Sequence, residues 1–280
     1  MAEKGILYLC ATPIGNLEDI TLRVLRVLRE ADLIAAEDTR HTRKLLAHYG
    51  IRGRLTSYHA HNAKKKSEEL LALVRAGKQV AVVSDAGLPG VSDPGAELVA
   101  RAVAEGLPVV ALPGACALVT ALVVSGLRTD RFVFEGFLPR RGRKKALARL
   151  AREPRTIILY EAPHRLLQTL EAILAELGDR RVAVARELTK EFEEVYRGTV
   201  GEALDHFRAQ PPRGEITIVL EGAECGARED PGEKNGLAAE VREAEARGLS
   251  RVAAIKEVAR RRGLKKRELY RVLLKEKGEA

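Results

Sequence analysis

SDAGLPGVSDPG, residues 84–95, is the stretch of this chain that decides the fold. An apolar run, QVAVV at 79–83, precedes it, and the length and β-branched residues of that run predict a buried parallel strand. Residues 96–104 follow with apolar side chains at helical spacing. The glycines of the loop permit positive φ and close backbone approach, and its prolines stiffen it. Because open α/β sheets bind ligands at the carboxyl ends of their strands, we interpret 84–95 as a binding loop rather than a plain connection.

The alternation of strand and helix extends to both sides of this loop. Strands are predicted at 6–11, 33–37, 79–83 and 109–112, and helices at 21–30, 42–49, 67–75, 96–105 and 117–124. This rhythm predicts a mostly parallel, doubly wound sheet. In the next part of the chain the strands lie closer together, which favours a mixed sheet. They are predicted at 132–137, 156–160, 181–185 and 215–220, with helices at 143–152, 165–177 and 201–207.

The sequence therefore predicts the α/β class, with two α/β domains and a small C-terminal all-helical appendage. The predicted boundaries are 1–126 for the N-terminal α/β domain, 127–222 for the second α/β domain with its mixed sheet, 223–235 for a linker and 236–280 for the appendage. Ser250 is the predicted N-cap of a helix over 251–262, and a second helix is predicted over 265–277. Two short basic helices around a glycine resemble a helix-turn-helix, and a small packing bundle is the alternative.

The bulk composition describes a soluble globular protein. Of 280 residues, 46% are hydrophobic and 31% charged. We find no signal-peptide pattern and no apolar stretch of membrane-spanning length. Three widely spaced cysteines favour reduced thiols in the cytoplasm over a disulfide framework or a zinc cluster.

The positive charge is concentrated in two segments. The net charge is +9, yet residues 250–280 hold 11 Lys and Arg against 4 acids, and residues 139–152 hold 7 Lys and Arg with no acid. The rest of the chain is mildly acidic. This distribution favours RNA or DNA as a partner, and solvated helix faces are the alternative.

Several catalytic signatures are missing from the sequence. There is no GxxxxGK[ST] phosphate loop, no GxGxxG after the first strand and no GxSxG nucleophile elbow. His59 and His61 lack further ligands at suitable spacing, so we predict a polar loop there and no metal site. What remains is a set of four loops at strand ends, at 12–16, 84–95, 113–115 and 160–165. A cleft of backbone, Gly, Pro and few polar side chains suits an adenosine-like ligand, and the absence of a loop lysine disfavours a triphosphate.

These loops carry a resemblance to a known family. The blocks are LYLCATPIGNLED (7–19), AEDTR (36–40), the 84–95 loop, LPG (112–114), FEGFLP (134–139), LYEAPHR (159–165) and ARELTK (185–190). In this order they resemble the tetrapyrrole methylase superfamily, the class III S-adenosylmethionine methyltransferases. Where the porphyrin-modifying members have a glycine-rich first loop, this chain has TPIGN, which is typical of the branch that acts on small-subunit ribosomal RNA.

The resemblance implies a homodimer in which two α/β domains hold S-adenosylmethionine between them. The implied reaction is methyl transfer to the ribose 2′-oxygen of a cytidine in 16S ribosomal RNA. Carried over by motif, the cofactor-binding residues are Pro13, Ser84, Asp85, Ala86, Gly87, Val91, Ser92, Pro113, Gly114, Ala115, Tyr160, Ala162 and Glu187.

A ribose hydroxyl is a poor nucleophile and gains from a general base. Glu37, Asp38 and Glu161 are the candidates for that base, with Arg40 and Asn62 as positioning groups, and each has a structural alternative as a cap or an ion pair. For phosphate contacts we predict Arg140, Arg141, Arg143, Lys144 and Lys145, and then Arg260, Arg261 and Arg262. Two other functions stay open at this point, a small-molecule methyltransferase acting on a corrinoid precursor and a non-enzymatic RNA-binding or assembly factor.

Overall fold

The computed structural model describes residues 5–223, 237–261 and 269. The chain divides into two compact units, with the division between residues 223 and 224. The first unit contains two five-stranded sheets. In the part of the chain that the structure describes, no helix has the length and apolar character needed to cross a membrane.

The first sheet is entirely parallel. Its strands are β1 (Leu7–Cys10), β2 (Leu33–Ala36), β3 (Leu55–Ser57), β4 (Val80–Val83) and β5 (Val109–Leu112), in the spatial order β3-β2-β4-β1-β5. The helices between them are α1 (Leu22–Glu30), α2 (Thr39–His48), α3 (Ala63–Arg75) and α4 (Gly95–Ala104). All four residues of β4 are buried because helices cover both faces of the sheet.

Alternate residues of β1 show which helices cover which face. Leu7 and Leu9 pack in one core cluster with Leu70 of α3, whereas Cys10 packs in another with Leu46 of α2. Because successive strand residues point to opposite faces, α2 and α3 lie on opposite sides of the first sheet.

The second sheet is mixed. Its strands are β6 (Phe132–Phe137), β7 (Thr156–Glu161), β8 (Arg181–Arg186), β9 (Glu194–Thr199) and β10 (Ile216–Leu220), in the order β6-β7-β10-β8-β9. Only the β6–β7 pair among these strands is parallel. On one face lie α6 (Arg143–Leu150), α7 (Leu166–Leu177) and α8 (Val200–Ala209), which begins with a capping box formed by Thr199 and Glu202.

Helix α5 (Ala117–Val124) covers the other face of the second sheet. Leu118 and Leu122 pack with Ile158 of β7 and Val219 of β10. A helix that follows the last strand of the first sheet is therefore part of the core of the second. This packing brings the ends of β1 and β4 close to the end of β7.

The predicted fold class is confirmed, including the parallel first sheet, the mixed second sheet and the helical C-terminal part. Two strands were not predicted: β3 has only three residues, and β9 is an edge strand whose sequence, EVYRGT, is largely polar. In the second unit, α9 (Leu237–Ala246) was not separately predicted, and α10 (Arg251–Arg261) follows Ser250, whose hydroxyl accepts the N–H of Ala253 at 3.4 Å. Residues 224–235 of the predicted linker, Arg262 and all but residue 269 of the predicted helix at 265–277 lie outside the described residues.

Candidate active site

The 84–95 loop is held against the loop that follows β1. The N–H of Thr12 donates to Gly87 O at 2.9 Å, and the N–H of Gly87 donates to Thr12 O at 3.0 Å. The Thr12 hydroxyl donates to Ser84 O at 3.1 Å, and the Ser84 hydroxyl donates to Gly87 O at 3.1 Å. Gly87 has φ +81°, a left-handed conformation that favours glycine. The loops after the neighbouring strands β1 and β4 therefore form one rigid wall.

A carboxylate organises the second half of the 84–95 loop. Asp93 Oδ1 accepts the backbone N–H groups of Gly90 and Gly95, both at 2.7 Å. Ser92 lies in the left-handed region at φ +62° although it is not a glycine. Backbone strain of this kind clusters at binding and catalytic sites, so it supports a binding role for the loop.

Beside this wall lies a cleft of about 380 Å³, within the usual range for small-molecule sites. We call it the acidic cleft. Its lining residues, drawn from both sheets, are Ile14, Glu37, Ser84, Ala86, Gly87, Leu88, Val91, Ser92, Asp93, Cys116, Ala117, Phe137, Tyr160, Glu161, Ala162, Pro163, Gly214, Glu215, Ile216 and Thr217. Among these described lining residues four are carboxylic acids, and none is Lys, Arg or His. The acidic cleft therefore suits a cationic ligand without phosphate groups.

Tyr160 of β7 connects α5 to the acidic cleft. Its hydroxyl accepts the backbone N–H of Leu118 at 3.2 Å, and its ring lies 4.9 Å from that of Phe134 and 5.6 Å from that of Phe137, between centroids. Burial raises the pKa of Tyr160 to about 12. The hydroxyl therefore stays protonated at neutral pH and keeps a hydrogen that it can donate to a ligand.

The start of β10 and the two residues before it supply cleft residues that the sequence analysis missed, namely 214–217. Because β10 runs antiparallel to β7, Ile216 lies opposite Glu161 and Thr217 opposite Tyr160, so the start of β10 meets the end of β7. A strand was predicted at 215–220, but one strand's pattern shows neither its direction nor its neighbour. The other missed lining residues lie within the blocks of the resemblance or at most three residues beyond them.

Glu37 is the carboxylate best suited to accept a proton. It follows β2, is half-buried and lines the acidic cleft. Burial, and to a smaller extent the charge of Asp85, raise the pKa of Glu37 above its ordinary value. A hydrogen bond from the Asp85 backbone lowers this pKa, but by less than the other two effects raise it. A general base is most effective when its pKa approaches the working pH, so this shift favours Glu37 in that role.

The adjacent acid, Asp38, is engaged in holding α2. Its Oδ1 accepts the N–H of Arg40 at 2.7 Å as the N-cap, and the Arg40 guanidinium donates to its two oxygens at 3.2 and 2.8 Å. These bonds hold the pKa of Asp38 well below its usual range. Asp38 and Arg40 do not line the acidic cleft, so the structure favours a cap and ion pair here over proton transfer.

Glu161, the third candidate base, is buried with both oxygens occupied. Oε1 accepts the N–H of Ala162 at 2.8 Å and lies 3.2 Å from Arg165 Nε, and Oε2 accepts the Thr169 hydroxyl at 2.6 Å. Arg165 Nη2 in turn donates to Leu138 O at 2.7 Å. Glu161 therefore fixes the end of β7 relative to β6, which favours a positioning role.

A second cleft, of about 630 Å³, opens beside the first. We call it the α2 cleft, and it is lined by Thr12, Pro13, Ile14, Gly15, Leu17, His41, Lys44, Leu45, His48, Asp85, Ala86, Lys190 and Glu215. It shares Ile14, Ala86 and Glu215 with the acidic cleft. The α2 cleft contains Pro13 and Asp85, which the resemblance had assigned to the cofactor.

Three other predicted cofactor residues, Pro113, Gly114 and Ala115, line neither cleft. They lead into α5, and Gly114 packs so closely on Ala11 that a Cβ at Gly114 would lie 2.6 Å from the Ala11 methyl group. This stretch supports the cleft wall formed by the residues that follow it.

Glu187 also lines neither cleft but braces the loop that carries Lys190. Its Oε1 accepts Lys190 Nζ at 2.9 Å and the N–H of Glu215 at 3.0 Å. Burial alone would raise the pKa of Glu187, but these two bonds lower it. The same loop bonds to the first sheet's loops, because Thr189 Oγ1 accepts the N–H of Asn16 at 3.0 Å.

Asn62 holds the loop before α3 and lines neither cleft. Its Oδ1 accepts the N–H of His59 at 2.9 Å, and its Nδ2 donates to the carbonyl and hydroxyl oxygens of Ser57, both at 3.2 Å. The geometry therefore favours a structural role over direct substrate positioning. Within the described residues, no group of three or more His, Cys, Asp or Glu is arranged to hold a metal ion.

The first arginine of the predicted basic segment, Arg140, lies three residues after Phe137 of the acidic cleft. Arg140, Arg141, Lys144 and Lys145 are exposed and Arg143 is half-buried. In the second unit Arg260 and Arg261 are exposed at the end of α10, and Arg261 pairs with Glu240.

Comparisons with known proteins agree with this architecture. Residues 6–204 match the family described as Tetrapyrrole (Corrin/Porphyrin) Methylases. The chain belongs to this methylase family. A relative from a Synechocystis species, called "Ribosomal RNA small subunit methyltransferase I", is 51% identical over 96% of this chain and 98% of its own. A protein of the same name from Escherichia coli O157:H7 is 46% identical over 99% of this chain and 97% of its own.

Solved structures of methylases share the fold at lower identity. The uroporphyrin-III C-methyl transferase from Thermus thermophilus, solved in complex with S-adenyl homocysteine, has a TM-score of 0.56 and 23% identity. The match covers 79% of this chain and 98% of that one.

Proposed function

We propose that this protein is an S-adenosylmethionine-dependent methyltransferase that acts on the ribosomal RNA of the small subunit. The observation that carries the proposal is the near-full-length similarity to relatives called small-subunit ribosomal RNA methyltransferases. The structure supports it with a cleft between two sheets whose size and charge suit the cofactor. The implied product is a 2′-O-methylcytidine in 16S RNA.

The acidic cleft fits S-adenosylmethionine on chemical grounds. A sulfonium cation is compatible with a wall holding carboxylates such as Glu37 and Asp93, and an adenosine without phosphates needs no lysine in the loop. The residues proposed to hold it on the first-sheet side are Ser84, Ala86, Gly87, Val91 and Ser92, with Tyr160 and Ala162 on the other side. Pro13 and Asp85 border this site from the α2 cleft. The loops that form its walls are supported by residues outside both clefts, namely Pro113, Gly114, Ala115 and Glu187.

When bound, the cofactor supplies an electrophilic methyl group attached to sulfur. The protein's own contribution is to hold the ribose hydroxyl in line with that bond and to accept its proton. We assign proton acceptance to a carboxylate oxygen of Glu37, because it lines the cleft and its pKa is raised. Asp38 is engaged as a helix cap, and both oxygens of Glu161 accept hydrogen bonds. Asp38, Arg40, Asn62 and Glu161 then act by fixing the surrounding loops.

Phosphate contacts are proposed for the exposed basic segment. Arg140, Arg141, Lys144 and Lys145 have no ion-pair partner among the residues that the structure describes. Unpaired cations next to a cofactor cleft are available to neutralise an RNA backbone. Arg143, Arg260 and Arg261 complete the proposed set, together with Arg262, which lies outside the described residues.

A homodimer is proposed from the exposed apolar face of α5. Its sequence, ALVTALVV, is apolar all round, yet Val119 is 46% exposed and Val123 is 68% exposed. A helix of this composition is normally buried on every side, which favours a second copy of the chain as its cover. Since ribosomal subunits are assembled in the bacterial cytoplasm, the proposed substrate also implies a cytoplasmic protein.

The test is methyl transfer from labelled S-adenosylmethionine to small ribosomal subunits isolated from cells that lack this enzyme. We expect label in the RNA, and mapping of 2′-O-methyl groups should place it on a cytidine. Methylation of a corrinoid precursor with RNA left unmodified would contradict the proposal. Absence of cofactor binding in calorimetry would instead favour a non-enzymatic assembly factor.

A further inference from the structure

One face of α2 forms a row of basic side chains inside the α2 cleft. His41, Lys44, Leu45 and His48 have the spacing i, i+3, i+4 and i+7, which places them on a single helical face. Leu45 is buried and anchors the face, whereas the other three side chains are exposed. The cleft therefore has a basic wall on a rigid element.

These three side chains form no ion pair with any described residue, although Asp85 and Glu215 line the same cleft. In the described part of the chain, no acid lies within ion-pair distance of His41, Lys44 or His48. Arg40 on the same helix, by contrast, pairs with Asp38 at 2.8 Å. On the facing loop Lys190 is also paired, with Glu187 at 2.9 Å and Glu215 at 3.3 Å. The α2 wall thus keeps the Lys44 ammonium and the ring nitrogens of His41 and His48 free to contact an anionic ligand.

The α2 cleft borders the acidic cleft, and Ile14, Ala86 and Glu215 line both. The two clefts differ in composition. The acidic cleft has four acids and no basic residue, whereas the α2 cleft has Asp85, Glu215 and the paired Lys190 on one side and the unpaired His41, Lys44 and His48 on the α2 side. A ligand that extends from one into the other would meet a site suited to a cation and then a site suited to an anion. If the ribose of a nucleotide meets the methyl donor in the acidic cleft, the neighbouring phosphates fit better in the α2 cleft, beside its basic side chains.

We propose that the α2 cleft binds the single-stranded RNA backbone beside the target nucleotide, with Lys44, His41 and His48 contacting its phosphates. This inference rests on the proposed function and deepens it. It assigns to α2 a substrate-binding role separate from the basic segment at 139–152. The phosphates next to the modified ribose are then held by a helix that begins at the Asp38 cap, directly after the proposed base Glu37.

The test uses the triple variant His41→Ala/Lys44→Ala/His48→Ala in the full-length protein. Alanine favours helix, and the three side chains are exposed, so the fold should be retained. Calorimetry with S-adenosylmethionine should give the wild-type Kd. Fluorescence anisotropy with a short single-stranded RNA of small-subunit sequence should show binding weakened by at least about tenfold, with the slope of log affinity against log salt reduced by about 0.7 per lost phosphate contact.

The matched control is Lys65→Ala on α3. Lys65 is exposed and lies on the opposite side of the first sheet, in neither cleft. The Lys65→Ala variant should bind RNA like the wild type. A triple variant that loses no more RNA affinity than this control would overturn the inference.

Methylation of small subunits, scored in parallel, separates the two proposals. A wild type that methylates and a triple variant that methylates with the same KM would overturn only the α2 assignment. A wild type that binds RNA through the three side chains without methylating it would support the α2 assignment and contradict the proposed function. A wild type that neither binds nor methylates RNA would overturn both.

Discussion

The carboxylate of Asp85 accepts the backbone N–H of Asp38 at 2.9 Å, and this bond joins two loops that lie 47 residues apart in the chain. It commits Asp85 as an acceptor and fixes the backbone directly after Glu37. Glu37 is thereby held on the acidic cleft, where burial and the nearby Asp85 charge raise its pKa. The two adjacent acids thus have different roles, Glu37 as the proposed base and Asp38 as a helix cap.

We expect Glu37→Gln to lower kcat by about 10²- to 10⁴-fold, the usual contribution of a general base, with little change in cofactor affinity. In the wild type, activity should fall as the pH drops through the raised pKa of Glu37, because the protonated acid cannot accept a proton. Measured kcat against pH should therefore show an acid limb with a midpoint above the ordinary glutamate value. A variant that keeps this limb and most of its activity would refute the assignment.

Asp38→Asn should affect stability more than chemistry, since asparagine can still cap α2 but cannot form the ion pair with Arg40. The pKa of Asp38 is depressed in the folded protein, so its stabilising effect is present above the ordinary aspartate pKa and is lost as the pH falls through the folded value. Thermal unfolding should show a lower Tm than wild type at neutral pH, and the difference should vanish in strong acid. A pH-independent difference in Tm would argue against this account.

Glu161→Gln should destabilise the fold by about 3 kcal/mol, because it leaves the largely buried Arg165 guanidinium without its counter-charge. The double variant Glu161→Gln/Arg165→Met removes both charges and should recover part of that loss, as measured by urea unfolding. If Glu161→Gln were instead fully stable and lost the acid limb of the kcat profile, Glu161 and not Glu37 would be the base.

Gly214→Ala should weaken both stability and cofactor binding. Gly214 has φ +81°, and a methyl group there would overlap the Glu187 carboxylate. The control is Gly142→Ala, which has φ +84° in the left-handed region but no heavy atom within 4 Å of the added methyl group. Both variants incur the backbone cost of about 1–2 kcal/mol, so an additional loss for Gly214→Ala in unfolding and in calorimetry isolates the contact with Glu187. Equal losses in the two variants would contradict the prediction.

Val119→Asp/Val123→Asp should convert the proposed homodimer to monomer, because two charges would be placed on the apolar face of α5 that a second copy is proposed to cover. Leu22→Asp is the control, since Leu22 is 85% exposed on α1 and far from α5 in sequence. Sedimentation velocity should show a monomer only for the α5 variant. A wild type that sediments as a monomer would remove the basis for the dimer.

Local pattern was sufficient for most of the fold. Strands β1, β4 and β5 were predicted because a strand buried on both faces is a continuous apolar run. Helices α1, α4 and α7 were predicted because a helix buried on one face has apolar residues at helical spacing. Elements with weak periodicity were missed. Strand β3 is too short to show a pattern, and β9 lies at an edge where its side chains need not be apolar.

The residues of the candidate site likewise include some that the local sequence predicts and some that it does not. Residues of the 84–95 loop were found from the sequence because glycine and proline at a strand end restrict the backbone locally. The contribution of β10 was not found, because it depends on antiparallel pairing with a strand some 55 residues earlier. Nor does spacing distinguish Glu37 from Asp38 or Glu161, since only their surroundings decide which acid is exposed to the cleft and which is bonded.

The sequence by itself determined the α/β class, the glycine- and proline-rich loop at 84–95 and the resemblance to a methylase family, because each depends on the local order of residues. Only the tertiary structure decided that α5 packs on the second sheet and that the start of β10 completes the acidic cleft. It also decided that the cleft is divided from a second one with basic side chains on α2. Those features depend on which elements become neighbours in space, and that choice is made by packing across the whole chain.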